Sequence, residues 1–461
     1  MHLVTYRGPS MAGGVSGAFS SLWQNFAQAQ DFNAWTYLVD DEVVEMRKAD
    51  DAKALLGCIP AEILDGHYRF CNLFIWPVMH DMGQRAHYAA SDRTAFRSFN
   101  RLIADCLFRK GFRKKFAQER EMQFVQDYQL ALLPALAQDY GFNSTLFWHI
   151  PWPKEVQTMH VPPLVEIATA LLAADTIGFH TQEYAHNFLQ FVDKYIPERS
   201  VNLRSGKWRS FPAVVARPLG IDNSGWQNAA ISGGNFMHPA LEHVKGKKIV
   251  LSVDRADYTK GVSERMQMIS TFAERYPDLS QNVVFVQICT RTRAGLPAFD
   301  DYWERLEFRE QQLAARKNDL LVWLKDPIDP AQLALLYKRA DAMLVTPLRD
   351  GLNLTAKEFV LSQAPHAMTL QGKAPAPLLL SPGAGVFNEL GRYSIAVDPI
   401  DDIDMADSVA YALGMDDREK TNRHHRCVAA MSKHTLTDWW NYFAAINNFR
   451  NRDIRPSSVS T

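Results

Sequence analysis

The sequence predicts an α/β protein built from two parallel-sheet domains, and three observations carry that prediction. The chain has 461 residues, more than one hydrophobic core usually supports. Short, continuous apolar runs alternate with helical patterns along most of it, as expected of strands buried on both faces by helices. Apolar periodicity then lapses between Asp222 and Phe236, where Asn, Ser and Gly cluster, which puts the domain boundary there. The expected division is a first Rossmann-like domain over residues 1–222, a second over 246–435, and a C-terminal helix over 436–455 packing back towards the first.

In the first half, residues 2–6 predict a buried strand. Arg7-Gly8-Pro9 follows, then Ala12-Gly13-Gly14-Val15-Ser16-Gly17 leading into a helix over Ala18 to Gln28. Strand, glycine loop and helix form the first part of a nucleotide-binding unit, although two adjacent glycines also occur in plain turns. Trp35 to Val39 predicts a second strand, and Cys71 to Trp76 is a further short apolar stretch ended by Pro77. Ser91 to Lys115 carries a long helical pattern whose basic end suits a solvated helix terminus better than a binding patch. Met122 to Val125 and Ser144 to His149 are strands, so Asp127 and His149 both fall at strand carboxyl ends, the functional edge of a parallel sheet. Thr176 to Phe179 and Val214 to Pro218 continue the alternation.

The second half alternates more regularly, with strands expected at Ile249 to Val253, Val283 to Ile288, Leu320 to Leu324, Ala342 to Val345, Pro377 to Leu380 and Ser394 to Val397. The last helical pattern, Thr437 to Asn448, holds Trp439, Trp440, Tyr442 and Phe443, too much apolar surface to leave in water.

Composition narrows the function. Apolar residues make up 47% and charged residues 22%, ordinary for a globular protein. A net charge of −1 without a basic stripe argues against nucleic acid as a partner. The five cysteines are odd in number, widely spaced and without a Cys-x-x-Cys pair, which fits reduced thiols in a cytoplasmic protein and no structural zinc. No secretory signal is visible after Met1, and no uncharged apolar run reaches membrane-spanning length, so no membrane partner is expected. The oligomeric state, a homo-oligomer included, stays open.

Two stretches carry the chemistry. Thr346-Pro347-Leu348-Arg349-Asp350-Gly351-Leu352-Asn353-Leu354 reads as a turn between a strand and a helix opening near Asn353, which offers helix N-terminal N–H groups to an anion at a strand carboxyl end. Glu358, expected about two turns into that helix, suits a sugar diol. A capped core helix with a surface Glu is the plainer alternative. Val253-Asp254-Arg255-Ala256-Asp257-Tyr258-Thr259-Lys260-Gly261 sets a guanidinium and an ammonium beside another helix start, where they would neutralise a diphosphate. Local pairing of Arg255 and Lys260 with Asp254 and Asp257 in a solvated turn is the competing account, slightly favoured by spacing. Arg293 and Arg7 each lie just past a strand and would ordinarily be surface residues. No nucleophile elbow or His-Glu-x-x-His appears, and the pairs Asp40-Asp41, Asp300-Asp301 and Asp401-Asp402 are not assigned to a metal.

Taken together, the blocks Val253 to Gly261 and Leu344 to Val360, with His149-Ile150-Pro151-Trp152-Pro153, resemble glycosyltransferase family 20, which holds the trehalose-6-phosphate and glucosylglycerol-phosphate synthases. The resemblance runs from Tyr6-Arg7 to about Val397. It implies a GT-B fold, two Rossmann-like domains with a cleft between them, and metal-independent retaining transfer of glucose. The substrates would be small molecules, with UDP-glucose as cosubstrate, glucose 6-phosphate as acceptor and no cofactor. It further implies that Arg255 and Lys260 bind the donor diphosphate, that Glu358 takes the ribose, and that the Leu352, Asn353 and Leu354 backbone takes phosphate and glucose. Asp350, beside Gly351, would hold glucose hydroxyls, with Gly14 on a loop closing over the donor. Asp127 and His149 would line the sugar site, Arg7 and Arg293 would grip the acceptor phosphate, and Trp76 would stand on the acceptor side. This chain departs from the family where Gln126-Asp127-Tyr128-Gln129 replaces His-Asp-Tyr-His, where His67 stands near an acceptor tyrosine, and between Glu307 and Leu320, which lacks a Gly-Arg-Ile-Asn stretch. Those departures keep two alternatives open: glycerol 3-phosphate with ADP-glucose, or a non-catalytic homologue that binds sugar phosphate.

Overall fold

The computed structural model describes residues 1–9, 14–26, 33–39, 42–48, 52–108, 122–196, 211–232, 234, 236–316, 319–364 and 373–452. The chain divides into two compact units, one of Met1–Ser10, Phe19–Leu219 and Leu436–Thr461, the other of Met11–Ala18 and Gly220–Thr435.

The first unit is built on an eight-stranded sheet in the order β4-β3-β2-β1-β5-β6-β7-β8. Its strands are β1 (His2–Arg7), β2 (Ala34–Val39), β3 (Val43–Lys48), β4 (Lys53–Cys58), β5 (Gln123–Gln126), β6 (Ser144–Trp148), β7 (Thr176–Phe179) and β8 (Ala213–Ala216). From β2 to β8 neighbouring strands run parallel, and β3 and β4 fold back antiparallel on the β2 edge. The parallel strands are apolar throughout because helices cover both faces. The edge hairpin escapes the sequence reading because charged residues interrupt it. Glu45, Arg47 and Lys53 alternate with apolar neighbours, and Leu55 is 73% exposed. Because β1 pairs with β2 on one side and β5 on the other, chain direction reverses between β1 and β5, and Arg7 and Asp127 stand at their carboxyl ends.

The stretch Cys71 to Trp76 is helical. A π-helix, Phe70–Ile75, is inserted between the α-helices Ala61–Arg69 and Trp76–Met79, and the Trp76 N–H donates to the Cys71 carbonyl five residues back. Pro77 fits because the first turn of a helix needs no N–H there. The helix expected over Ser91 to Lys115 is described as Ala90–Phe108, and its basic end lies outside the described residues.

The second unit holds a fully parallel sheet of β9 (Lys248–Arg255), β10 (Val283–Thr290), β11 (Leu321–Leu324), β12 (Ala342–Val345), β13 (Leu378–Leu380) and β14 (Ile395–Ala396). Its order is β11-β10-β9-β12-β13-β14, the doubly wound arrangement in which ligands bind where strand order reverses, here between β9 and β12. The Asn, Ser and Gly-rich stretch after Asp222 is a helix of this unit, Asn223–Ser232, correcting its reading as irregular chain. It is held by Trp226 against the Tyr337 ring at 5.9 Å and by Lys338 Nζ donating to the Ala230 carbonyl at 3.0 Å. Tertiary contact thus overrides a weak local preference.

The C-terminal helix Leu436–Arg452 belongs with the first unit. Trp439, Trp440 and Phe443 are completely buried, with Trp439 stacked on Phe124 at 5.3 Å and edge-on to Phe147 at 5.0 Å. Replacing Trp439 by Ala is therefore expected to lower the stability of the first unit by about 3–5 kcal/mol. Chemical denaturation followed by fluorescence reads this directly, and an unchanged midpoint would contradict the packing role.

Candidate active site

At the switch point of the second sheet, β9 ends at the exposed Arg255 and the chain turns through Tyr258–Lys260 into the helix Val262–Arg275. Gly261 makes the turn with φ 65°, and a Cβ there would lie 2.2 Å from the Thr346 carbonyl oxygen at the end of β12. Only glycine fits. The ammonium of Lys260 donates to Asp350 Oδ2, with both side chains about nine-tenths buried. Asp350 is itself fixed, since its N–H donates to the Gly383 carbonyl at 2.8 Å and its Oδ1 accepts the Gly351 N–H at 2.9 Å. Asn353 Nδ2 donates to Asp350 Oδ2 at 3.2 Å.

The helix Leu354–Ser362 opens here, capped by Asn353 (φ 76°), whose Oδ1 accepts the Ala356 N–H at 3.3 Å. Its remaining first-turn N–H groups lack intrahelical acceptors. Glu358 is the fifth residue of this helix, nearer one turn in than the two expected, and is buried with the Tyr337 hydroxyl donating to its Oε2 at 3.3 Å. The loop is braced by Gly383 and Gly385, where an added Cβ would fall 2.4 Å from the Leu348 oxygen and 2.0 Å from the Gly351 oxygen. A cavity of about 550 Å³ beside it is lined by Leu348, Pro382, Gly383, Val397, Asp398 and Ile400. Neither Arg255 nor Lys260 lines it, so it is separate from the cationic turn.

Neither carboxylate of the Asp254 to Lys260 turn makes the local salt bridge weighed from the sequence. Asp254 pairs with Arg265 at 2.7 Å, and Asp257 pairs with Arg293. Burial pushes the Asp254 carboxyl up against the pull of Arg265 and Lys260. Burial also works to raise Asp257, but Arg293, Lys260 and Arg255 more than reverse it and hold that carboxyl at about 2. Arg293 is thus a buried ion-pair member with φ 50°, its guanidinium 4.7 Å from the centre of the Phe299 ring. Arg265, absent from the sequence reading, is 1% exposed and also donates to the Lys260 carbonyl at 3.0 Å and Thr346 Oγ1 at 2.9 Å. An arginine on a helical pattern carries no sign of burial in the sequence.

In the first unit, Asp127 follows β5 with φ 72°, and its Oδ1 accepts the His149 N–H at 3.1 Å. Burial lifts its carboxyl to about 7 against the opposing N–H groups of Tyr128 and His149. Burial also holds His149 neutral, at about 3. His149 Nε2 is 2.9 Å from Gln126 Oε1, and its Nδ1 is 3.3 Å from Nε2 of His180, a residue the sequence reading passed over. Trp76 is buried, its ring 4.0 Å from that of His80 and 6.1 Å from that of Tyr128. His67 is fully buried and stacked on Phe99 at 3.8 Å, with its ionisation pushed down by burial to about 4. It is therefore an uncharged imidazole in an aromatic core. Arg7 ends β1 and is exposed, while Gly14 opens the helix Gly14–Phe26 in the segment assigned to the second unit. Residues 10–13 of the glycine loop lie outside the described residues.

Residues 11–448 match the model of glycosyltransferase family 20. The chain belongs to that family. Among family 20 relatives, it is 28% identical over 427 residues to "Alpha,alpha-trehalose-phosphate synthase [UDP-forming] 1" of Arabidopsis thaliana, covering 88% of this chain and 44% of that protein. It is 28% identical over 418 residues to the trehalose-6-phosphate synthase of Salmonella choleraesuis, covering 88% of this chain and 84% of that one. The chain spans about half the length of the plant relatives it matches. Its fold is similar to the crystal structure of a UDP-forming alpha,alpha-trehalose-phosphate synthase from Burkholderia xenovorans in complex with glucose-6-phosphate, at TM-score 0.83 and 25% identity, covering 97% of this chain and 99% of that one. The expected α/β, GT-B class of family 20 therefore holds.

The Asp127 carboxyl generates a test on pH. Its folded pKa, about 7, lies above the unfolded value near 4, so the folded protein binds the extra proton between them and this contribution to stability falls as pH rises through that window. His149 acts in the opposite sense, losing stability as pH falls below about 6.5. Asp127→Asn is expected to lose about 2 kcal/mol less stability than the unsubstituted protein between pH 5 and pH 8. Denaturant titrations at the two pH values measure this difference, and equal losses would refute the raised pKa.

Proposed function

We propose that this chain is a retaining glucosyltransferase that moves glucose from UDP-glucose to glucose 6-phosphate, giving α,α-trehalose 6-phosphate. The observation that carries the reading is the convergence, at the switch point of the second sheet, of the Lys260–Asp350 pair, the Arg255 side of the same turn and the N-terminus of the helix Leu354–Ser362. That is the equipment a departing diphosphate needs: cations and oriented N–H groups aimed at an anion. The names of the relatives, UDP-forming synthases among them, support the choice of donor, and the Burkholderia xenovorans protein, solved with glucose-6-phosphate, supports the acceptor.

In this mechanism Arg255 and Lys260 draw the diphosphate away from the anomeric carbon. The backbone of Leu352, Asn353 and Leu354 receives the distal phosphate and the glucose, and Asp350 orients the sugar hydroxyls. Glu358 takes the ribose. Asp127, His149 and Trp76 line the side that receives the acceptor, whose phosphate is met by Arg7 and Arg293. Arg293 would then exchange Asp257 for the incoming phosphate, or share itself between them. The attacking hydroxyl can pass its proton to the departing phosphate oxygen, so no separate strong base is required.

One observation favours a second reading of the acceptor. His67 stands near the place of a family tyrosine, yet it is buried and uncharged within Phe96 and Phe99, which leaves the phosphate grip short of one contact. Glycerol 3-phosphate with ADP-glucose is the alternative pair.

Incubation with each donor and acceptor, with the product identified by NMR, tests both. Nucleotide release that requires glucose 6-phosphate and yields the 1,1-linked disaccharide phosphate is the expected result. Release only with glycerol 3-phosphate supports the alternative, and binding without turnover across the panel indicates a sugar-phosphate-binding homologue. Lys260→Ala is expected to lower kcat/KM by the equivalent of about 2–4 kcal/mol, and near-normal turnover would remove Lys260 from the mechanism.

A further inference from the structure

Gln126 closes a chain of hydrogen bonds that starts at a main-chain N–H. The Leu219 N–H can only donate, and it lies 3.4 Å from His180 Nδ1, so His180 carries its proton on Nε2. That proton points at His149 Nδ1, 3.3 Å away, which must accept. His149 therefore carries its own proton on Nε2, and the atom it meets at 2.9 Å is the amide oxygen of Gln126. Each link sets the next, and a side chain without a titrating proton ends the series.

The other end of that amide has no partner. Gln126 is 2% exposed, and its Nε2 is enclosed without an acceptor in the structure. An enclosed N–H2 left unpaired is costly, so the position calls for an oxygen supplied from outside the fold. The groups that face His149 agree with a fixed, uncharged imidazole. Asp127 meets only its main-chain N–H, His180 is the neighbouring titratable ring, and Phe19 and Phe147 close the apolar sides at 5.9 Å and 4.7 Å.

We propose that Gln126 is a positioning residue that fixes His149 in its Nε2–H tautomer and, through its own N–H2, donates to a hydroxyl of the sugar bound beside Asp127 and His149. The second half rests on the glucosyltransferase reading; the first does not. A histidine at 126 would instead put three imidazoles in series, each able to gain a proton. Glutamine removes that freedom, making the polarity of the site independent of pH at this position.

Two substitutions separate the roles. Gln126→Glu keeps an oxygen for His149 and removes the N–H2, while Gln126→Met removes both. Nitrogen-15 NMR of the imidazoles in the full chain is expected to show neutral His149 protonated on Nε2 between pH 5.5 and pH 8.5. Gln126→Met is expected to give a mixture of tautomers and a kcat/KM lower by about tenfold to a hundredfold. Gln126→Glu is expected to keep the Nε2–H tautomer at high pH, to bring His149 protonation into the measured range, and to raise the KM for one of the two sugar substrates about tenfold.

Protonation of His149 on Nδ1 in the unsubstituted chain, or a Gln126→Met variant with unaltered tautomer, pH profile and KM values, would overturn the proposal. A liganded crystal structure with only a fixed water on Gln126 Nε2 would overturn the sugar contact. Should the unsubstituted chain turn over no substrate, the glucosyltransferase reading fails, while the NMR arms still decide whether Gln126 positions His149.

Discussion

The buried guanidinium of Arg265 is the constraint on which the anion-binding edge of the second unit depends. It reaches from the helix after β9 to Asp254 at the end of β9, to Gln287 Oε1 in β10 at 3.2 Å, to Thr346 beyond β12, and to the carbonyl of Lys260. One side chain thus fixes the ends of three strands and the turn that carries Lys260. A charge this deep is tolerated only when fully paired, and removing it would strand the equally buried carboxylate of Asp254. The same dependence extends to Ser252, whose hydroxyl donates to Gln287 Oε1 at 2.6 Å and shares that acceptor with Arg265.

The two units solve different electrostatic problems. Around the second sheet's switch point the groups are ionic and matched: Lys260 with Asp350, Arg265 with Asp254, Arg293 with Asp257, and Lys357 with Glu389 at 2.7 Å. An anionic ligand there would enter a lattice of charges already in place and exchange partners with it, so little reorganisation is needed on binding. At the carboxyl edge of the first sheet the polar groups are held neutral by burial. His67 and His149 are pushed well below the usual imidazole range, and Asp127 is pushed up to about 7. Such groups act through direction rather than charge, which suits hydroxyl recognition.

The parts of this architecture visible in the sequence were those with strong local signals. The strands of the second sheet are continuous apolar runs bounded by turn formers, and the span Ala342 to Val345 coincides with β12. The loop from Thr346 to Leu354 was legible because Pro, Asp-Gly and Asn at fixed offsets dictate a turn and a helix cap. The rest depends on partners distant in sequence. Arg265 meets Thr346 across 81 positions, His149 meets His180 across 31, and Lys260 meets Asp350 across 90, so no window of neighbouring residues contains both members. The β3 and β4 hairpin was missed for another reason: an edge needs one apolar face, which halves its hydrophobic signal.

The π-helix Phe70–Ile75 bears on how this segment tolerates change in length. Its widened turn accommodates one residue more than regular winding would, and the surplus falls immediately before Trp76. Removing a single residue there would let the segment relax to ordinary winding while turning everything downstream by about 100° about the axis. The indole, now inside next to His80, would swing to another side of the rod. A gap in this stretch is therefore a rotation rather than a shortening, and chimeras spliced through it need to conserve residue count before residue type.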